Sequence, residues 1–377
     1  MNNPTDNKQT LATLAAYFLE LGLIGFGGPP AHLAMMRNDL VERKRWLSPE
    51  QFNEDLATAN LLPGPTSTEM AIYIGQRLGG VPGAIVSGVC FILPAFLIVL
   101  LLSVLYVQMG QLTQLESWLY GIKPVALALI IHGAVQLARP LLLGWREWTV
   151  FLLSIPIVFV VRIDILLIFV LSGLILWVLY HELDVSRVSA GFLVSGMSAV
   201  SQVSVWAVFW TFLKIGALIY GGGFALIGIL QQELVLGNGW LTQQQLIDGI
   251  AIGQATPGPV FTTATFVGYI VAGWLGAVLA TIGIFAPAFV FVIVEHRLMG
   301  WLKRVPAVKI FLRGVNLAVV ASIIVAAGQL GRAALIDGLS VLIACATLLA
   351  LFRFKIAAHW LILAGVVIGV GRWVWGL

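Results

Sequence analysis

Long apolar stretches, separated by short polar segments, follow one another along the whole chain. Each stretch approaches the roughly 20 residues that a helix needs to cross the hydrocarbon core of a bilayer. The pattern therefore predicts an all-α integral membrane protein with about ten transmembrane helices. In the first half we expect crossings near residues 11–29, 83–107, 118–138, 147–161 and 164–181. In the second half we expect them near residues 206–224, 276–295, 311–330, 335–351 and 357–376.

Two further apolar segments are each interrupted by a Pro-Gly-Pro sequence, at Pro63-Gly64-Pro65 and at Pro257-Gly258-Pro259. Proline removes a backbone hydrogen-bond donor, and glycine adopts dihedral angles that other residues avoid. Freed backbone groups need partners inside a membrane, so such breaks are typical of segments that line a polar cavity. We expect each break to be the turn of a re-entrant pair of half-helices that does not cross the bilayer.

The second half of the chain repeats the first. Pro63-Gly64-Pro65 matches Pro257-Gly258-Pro259 at a shift of 194 residues, and Pro94 matches Pro287 at a shift of 193. One residue is therefore lost between these two matches. We divide the chain into an N-terminal repeat (residues 1–183), a linker (residues 184–204) and a C-terminal repeat (residues 205–377).

Basic residues are distributed oppositely over equivalent loops. Loop 37–45 carries four Lys or Arg residues, whereas its equivalent, 231–239, carries none. Region 295–313 carries five, whereas its equivalent, 102–120, carries none. Because basic loops stay in the cytoplasm, we predict that 37–45 and 295–313 lie inside and that their equivalents lie outside. The two halves then form an inverted 5+5 repeat, as in many secondary transporters, with both termini outside.

Composition agrees with a membrane protein. Of the 377 residues, 60% are hydrophobic and 10% are charged, whereas soluble domains carry roughly 25% charged residues. Membrane lipid is the expected surrounding, and the net charge of +4 is spread over short loops, so no nucleic-acid partner is predicted. Cys90 and Cys345 lie in separate apolar runs and the five histidines are scattered, so we predict no metal and no other cofactor.

The two Pro-Gly-Pro breaks are candidate anion sites. Each is followed by hydroxyl side chains, and the helix that starts there directs free N–H groups and the positive end of its dipole at the cavity. Glycine clusters interrupt the first helix of each half and would let the backbone approach a substrate. A kink or close contact that serves packing alone is the alternative for both features. The candidate substrate-binding residues are Gly27, Gly28, Pro63, Gly64, Pro65, Thr66, Ser67, Gly221, Gly222, Pro257, Gly258, Pro259 and Thr262.

Ionisable residues at membrane depth are candidates for charge or proton coupling, because intramembrane charges are costly and usually functional. Glu20 and Lys214 occupy equivalent positions with opposite charge. They either pair across the symmetry axis or place Lys214 against the anion. Glu69 follows the first Pro-Gly-Pro segment, and His32 either binds protons or satisfies a helix end. Lys123 lies near a helix end and is expected to extend toward the membrane surface.

These motifs resemble the chromate transporter (CHR) family in its long, two-domain form, over essentially the whole chain. In the first half the resemblance rests on Phe26-Gly27-Gly28-Pro29 with His32, Glu42-Arg43-Lys44-Arg45-Trp46-Leu47, and Leu62-Pro63-Gly64-Pro65-Thr66-Ser67-Thr68-Glu69-Met70. In the second half it rests on Gly221-Gly222-Gly223-Phe224, Gly239-Trp240-Leu241-Thr242, and Gly253-Gln254-Ala255-Thr256-Pro257-Gly258-Pro259-Val260. Phe224 departs from the Tyr that more often follows these glycines, which removes one hydroxyl from the predicted cavity.

The resemblance implies a secondary transporter in the bacterial inner membrane that exports chromate, a tetrahedral oxyanion similar to sulfate. It further implies energy from the proton-motive force and a role in chromate resistance. The residues themselves do not distinguish chromate from sulfate, so a sulfate or general oxyanion carrier of the same architecture is the first alternative. An intramembrane enzyme would need a paired nucleophile and base, and we predict no enzymatic activity. The inverted repeat disfavours a passive channel, and a homodimer is left open.

Overall fold

The computed structural model describes residues 9–59, 64–109, 113–160, 165–181, 204–219, 225–302 and 306–375. Within these ranges the regular structure is helical. The first half contains α1 (Leu11–Ile24), α2 (Gly28–Arg37) with a π-helical continuation (Asn38–Arg43), α3 (Pro49–Ala59), α4 (Thr66–Met109), α5 (Thr113–Ala138), α6 (Trp145–Val160) and α7 (Ile165–His181). The second half contains α8 (Val205–Leu218), α9 (Ala225–Leu230) with a π-helical continuation (Gln231–Gly237), α10 (Gln243–Ala255), α11 (Thr263–Leu302), α12 (Pro306–Ala334), α13 (Gly338–Leu349) and α14 (Ala358–Trp375).

The helices of the second half follow the order and spacing of those in the first. α6 begins at Trp145 and α13 at Gly338, a separation of 193 residues. The same separation relates Gly80 and Gly273, where α4 and α11 are each interrupted. The division into two repeats and a linker stays a prediction, because most of the linker lies outside the described residues.

Four helical stretches in the described part of the chain are long and apolar enough to cross a membrane: Thr66–Gln108, Leu119–Ala138, Val260–Val294 and Ala307–Ala334. Six shorter apolar helices accompany them there. Large apolar side chains such as Leu101 and Val367 are more than half exposed, as expected where lipid is the solvent. The prediction of an all-α membrane protein is confirmed.

Helix α4 is two helices joined by a reversal at Gly80, where φ is +65° and ψ is −159°. Gly75 and Gly83 on either side of the reversal are in backbone contact, since a Cβ placed on Gly75 would lie 2.3 Å from the Gly83 carbonyl oxygen. The two arms, residues 66–79 and 81–109, are therefore antiparallel. Helix α11 reverses in the same way at Gly273, and only the second arm of each helix runs the full length of a crossing.

The first arm of α4 folds back along α3. Arg77 donates from Nε to Asp55 Oδ2 over 2.9 Å, and Ala59 shares a buried cluster with Ile72 and Tyr73. These contacts make α3 and residues 66–79 an antiparallel pair, hairpin B, whose turn contains Gly64 with a φ of +146°. The predicted re-entrant segment is present, although Pro63 lies outside the described residues.

The equivalent pair in the second half, hairpin D, consists of α10 and the first arm of α11. Gly249 lies against the ring of Phe266. A Cβ added to Gly253 would lie 2.3 Å from Thr263 Oγ1. Positions without side chains thus let the two arms approach closely. The turn, or tip, of hairpin D is the Pro257-Gly258-Pro259 segment, as predicted.

The continuous first crossing expected at residues 11–29 is wrong in detail. Helix α1 ends at Ile24, the chain turns at Gly27 (φ +105°) and Gly28 (φ +72°), and α2 returns antiparallel to α1. The rings of Tyr17 and Trp46 lie 5.7 Å apart, which places the start of α1 near the end of this returning segment. We call this pair hairpin A. Its 14-residue first arm is about 21 Å long, less than the roughly 30 Å hydrocarbon core.

Helices α8 and α9 form the equivalent hairpin C. Lys214 of α8 contacts Glu233 in the π-helical continuation of α9 over 3.0 Å. The continuation of α9 therefore returns to the level of Lys214 in α8. The predicted site residues Gly221 and Gly222, which connect them, lie outside the described part of the chain.

The two halves interlock through their remaining helices. Helix α5 packs against α13 and α14, and α12 packs against α6 and α7. Helices α5 and α14 approach closely because their glycines lie against each other: a Cβ on Gly121 would lie 1.9 Å from the Gly365 carbonyl oxygen. At the centre, α4 crosses α11, with Gly88 against the ring of Phe289. Neither half buries its apolar faces without the other.

Candidate functional site

The tips of hairpins A and D meet inside the protein. The Gly258 N–H donates to the carbonyl oxygen of Gly25 over 2.8 Å. A Cβ on Gly28 would lie 3.8 Å from Val260, and one on Gly258 would lie 2.8 Å from Ala95. Residues from the glycine cluster of one half and the Pro-Gly-Pro segment of the other, which the sequence predicted separately as site residues, are thus in direct contact.

His32 lies at this junction and is completely buried. Its Nε2 is 2.8 Å from the same Gly25 carbonyl oxygen that accepts from Gly258. A carbonyl oxygen only accepts, so Nε2 carries the hydrogen, and Nδ1 is the nitrogen that gains or loses a proton. Among the described residues Nδ1 has no hydrogen-bond partner. The geometry therefore combines a helix-end contact with a buried proton acceptor, the two roles that the sequence left open.

The tip of hairpin B brings together hydroxyl groups and a carboxyl group. Ser67, Thr68 and Glu69 are buried in the first turn of α4, and Thr66 is partly exposed. The amides of Thr68 and Glu69 donate to the Pro65 carbonyl oxygen. The amides of Thr66 and Ser67 belong to the helix start, where N–H groups have no partner within the helix.

Two side chains at this helix start, Thr68 and Glu69, affect the binding of an anion. The Thr68 hydroxyl is buried without a hydrogen-bond partner among the described residues. The Glu69 carboxylate lies over the turn, since a Cβ on Gly64 would be 2.6 Å from Glu69 Oε1. A negative charge here is favoured by the helix dipole. The tip of hairpin B thus contains hydrogen-bond donors for an anion. It also contains a carboxylate, which would compete with a bound anion.

The hydroxyls near the tip of hairpin D are used differently. Thr262 Oγ1 donates to the Pro259 carbonyl oxygen over 2.8 Å, and Thr263 Oγ1 donates to that of Val260 over 2.9 Å. Thr256 Oγ1 donates to Gly253 over 3.1 Å. Their hydrogens are therefore committed to the backbone. The threonine hydroxyls of this tip are satisfied internally, whereas the Thr68 hydroxyl in hairpin B has no partner among the described residues.

Glu20 and Lys214 do not form an ion pair with each other, so the predicted pair across the symmetry axis is wrong. Lys214 Nζ contacts Glu233 Oε2 within its own half. Glu20 is exposed and forms no ion pair within the described part of the chain. Helix α1 packs against α4 and helix α8 packs against α11, each within its own half.

One buried ion pair was not predicted from the sequence. Lys123 was expected to extend toward the membrane surface, but its Nζ lies 2.9 Å from Asp248 Oδ1, and both residues are less than a tenth exposed. The Tyr106 hydroxyl donates to Asp248 Oδ2 over 2.9 Å. Asp248 stands alone between apolar residues in the Leu-Ile-Asp-Gly-Ile run of α10, and that isolated carboxylate was the available signal.

Within the described ranges no three His, Cys, Asp or Glu side chains are grouped as a metal site would require. Paired re-entrant hairpins whose irregular tips meet inside a helical bundle are the arrangement of secondary transporters, which bind substrate where broken helices converge. The fold and the site therefore define a multi-pass membrane transport protein.

Comparison with known proteins gives the family. The model of the chromate transporter family matches residues 12–177 and 206–370. The chromate transport protein of Cupriavidus metallidurans is 32% identical over 371 residues, covering 94% of this chain and 91% of that protein. A probable chromate transport protein of Synechococcus elongatus is 30% identical over 379 residues, covering 97% and 96%. The chromate transport protein of Pseudomonas aeruginosa is 32% identical over 329 residues, covering 81% and 78%. No solved structure matches.

The chain belongs to the chromate transporter family, as the sequence motifs predicted. The family is one of transporters, which confirms that the protein is not an enzyme. Both matched segments contain the two hairpins of their half.

Proposed function

We propose that the protein exports chromate, a tetrahedral dianion, across the bacterial inner membrane. Two observations carry this proposal: the contact between the tips of hairpins A and D, and the helix start of hairpin B, where the Thr68 hydroxyl has no partner among the described residues. We place the anion against Gly27, Gly28, Gly64, Pro65, Thr66 and Ser67, with Pro257, Gly258 and Pro259 holding the opposite side. The Thr68 hydroxyl is an additional donor, and the Thr262 hydroxyl is not, because its hydrogen is already donated.

The inverted arrangement of the halves is part of the proposal. The second arm of α4 begins after the reversal at Gly80, at the open end of hairpin B. Tyr106, near the end of α4, bonds Asp248, near the start of α10. The open ends of hairpins B and D thus lie on opposite faces. The basic loop 37–45 assigns hairpin B to the cytoplasmic face.

The reversal in hairpin A changes the expected side of α1. The Gln9 N–H donates to the Leu78 carbonyl oxygen over 3.1 Å. The start of α1 therefore lies at the open end of hairpin B, on the face that we assign to the cytoplasm. A crossing at residues 11–29 would have put it outside, as the sequence predicted.

Glu69 and His32 are our candidates for proton coupling. An ionised Glu69 beside the site repels a dianion, and a protonated Glu69 does not, so proton and anion favour each other's binding. An anion that leaves with one proton carries a net charge of −1 outward. An inside-negative membrane potential drives that movement with about 2.3 kcal/mol per 100 mV. The electrical part of the proton-motive force is thus sufficient to give export.

Everted membrane vesicles test the function directly. Because their cytoplasmic face points outward, export is measured as uptake of labelled chromate. We expect uptake that requires the membrane potential and is abolished by its collapse, with labelled sulfate transported less well. Uptake of sulfate in preference to chromate would identify a general oxyanion carrier. Equal flux with and without a potential, at equal concentrations on both sides, would contradict active transport.

A further inference from the structure

A cluster of three side chains, Lys123, Asp248 and Tyr106, joins the two halves inside the membrane region. Lys123 Nζ and Asp248 Oδ1 are 2.9 Å apart, and the Tyr106 hydroxyl donates to the other carboxylate oxygen over 2.9 Å. The ion pair is almost completely removed from solvent, with side chains 10% and 4% exposed. Lys123 lies within the apolar stretch Leu119–Ala138 of α5. We call this cluster the charge cluster.

The charge cluster fastens hairpin D to helices of the other half. Asp248 is on α10, the first arm of that hairpin, whereas Lys123 is on α5 and Tyr106 is on α4. The Tyr106 ring also packs edge-on against Phe266 of the second arm, at 5.0 Å between centroids. Asp248 precedes the tip glycine Gly258 by ten residues, or about 15 Å of helix. The cluster therefore lies between the tip and the open end of hairpin D.

In the described part of hairpin B there is no equivalent of this cluster. The positions equivalent to Lys123 and Asp248 are Asn316 and Glu54. The Asn316 Oδ1 atom is buried without a hydrogen-bond partner among the described residues. The Glu54 side chain is 70% exposed and contacts Arg77 of its own hairpin at 3.5 Å. Two hairpins with the same backbone design are thus held to the bundle by different means.

We infer that the charge cluster is an ionic lock that keeps the outer face closed over the tips, and that no such lock acts on the cytoplasmic face. Separating a buried ion pair leaves two unpaired charges in a low-dielectric surrounding. Hairpin D therefore moves away from α5 only when both charges are neutralised or reach water. The inference rests on the proposed transport function and on the outward assignment of hairpin D. Lys123, Asp248 and Tyr106 are positioning residues in this account and do not touch the anion.

Accessibility of a cysteine near the tip tests the lock without measuring transport. Gln254, between Asp248 and the tip, is changed to cysteine in a chain in which Cys90 and Cys345 are replaced by alanine. A membrane-impermeant maleimide is then added to intact cells. With the lock present we expect slow labelling. Lys123→Asn, which copies the residue at the equivalent position, should raise the labelling rate about tenfold or more.

Three variants make the result specific. The exchange of charges in Lys123→Asp with Asp248→Lys should restore slow labelling, because the pair reforms. Tyr106→Phe, which removes only one hydroxyl, should give an intermediate rate and covers the case in which Lys123→Asn fails to fold. Arg77→Gln breaks an ion pair within hairpin B and should leave labelling of Gln254→Cys unchanged.

The lock is overturned if folded Lys123→Asn and Tyr106→Phe proteins label as slowly as the parent, or if Arg77→Gln accelerates labelling equally. Acceleration only in everted vesicles, where the cytoplasmic face is exposed, would overturn the outer assignment. Chromate uptake measured in parallel separates the two proposals: a chain that transports no chromate but shows the labelling pattern loses the proposed function and keeps the lock.

Discussion

At the scale of single residues, the site is asymmetric although the backbone repeats. His32 and Glu69 stand at the first-half tips, where the second half has Leu226 and Thr262 at the equivalent positions. These two titratable side chains therefore have non-titratable residues at the equivalent positions. We accordingly expect a single anion site with a proton acceptor beside it.

Replacing His32 by glutamine separates its two roles. The glutamine amide donates to the Gly25 carbonyl oxygen as Nε2 does but binds no proton. We expect His32→Gln to fold with an almost unchanged melting temperature and to lose much of the pH dependence of chromate uptake below about pH 6.5, because burial disfavours the charged imidazole. His32→Leu, which copies Leu226, should lose the contact as well and melt at a lower temperature. An unaltered pH profile in His32→Gln would show that the histidine serves packing alone.

The charged residues show where sequence reasoning stops. Glu20 and Lys214 matched by position and by sign, yet Lys214 pairs with Glu233 because α8 folds back along the continuation of α9. Alignment of the two repeats shows which positions are equivalent, but it does not show which residues are close in space. Asp248 and Lys123 were visible as isolated charges in apolar runs, but only the packing of α10 on α5 brings them together.

At the scale of the elements, the structure has four helical hairpins where two re-entrant segments were predicted beside about ten crossings. The Pro-Gly-Pro breaks predicted hairpins B and D correctly, because proline and adjacent glycine cannot continue a helix. Hairpin A was not foreseen, since its glycines are equally compatible with a kinked crossing. The positive φ angles at Gly27 and Gly28 belong to a reversal of the chain and not to a kinked crossing.

Contact between glycines fixes the reversal in α4, and a single methyl group tests it. Gly75→Ala would place a Cβ 2.3 Å from the Gly83 carbonyl oxygen. We expect the arms to separate at a cost of about 1–3 kcal/mol and the melting temperature in detergent to fall. Gly328→Ala, in an open position on α12 with nothing within 4 Å, is the matched control and should be neutral or slightly stabilising. Equal melting temperatures for the two variants would refute the close contact.

At the scale of the whole molecule, the halves are held together by exchanged helices and by ionic clusters at their ends. Tyr120 of α5 donates to Asp337 over 2.6 Å, and Arg372 of α14 contacts the same carboxylate over 2.9 Å. Asp337 also accepts from the Ser340 amide as the N-terminal cap of α13. This cluster ties the start of α13 and the end of α14 to the first half.

The Asp337 cluster predicts a defined response to acid. Hydrogen bonds from Tyr120 and from the Ser340 amide hold the pKa of Asp337 far below its usual value. A lowered pKa stabilises the fold at every pH above the unfolded value of about 3.9, and this stabilisation is lost as the pH falls further. Asp337 should therefore contribute no pH dependence to the melting temperature between pH 5 and 8. Asp337→Asn should melt lower at neutral pH and lose part of its acid sensitivity below about pH 4; identical acid profiles would contradict this role.

The central claim is that the anion is bound at the open helix start of hairpin B, and two matched substitutions test it most directly. Thr68→Val removes a buried hydroxyl that has no partner among the described residues, and Thr262→Val removes one whose hydrogen is donated to Pro259. Both changes preserve side-chain shape. For labelled chromate uptake into everted vesicles, we predict that Thr68→Val raises the half-saturating concentration about ten- to a hundredfold, the worth of a hydrogen bond to a charged ligand. Thr262→Val should change it little. Unchanged half-saturation in Thr68→Val, or an equal rise in both variants, would contradict the placement of the anion at this tip.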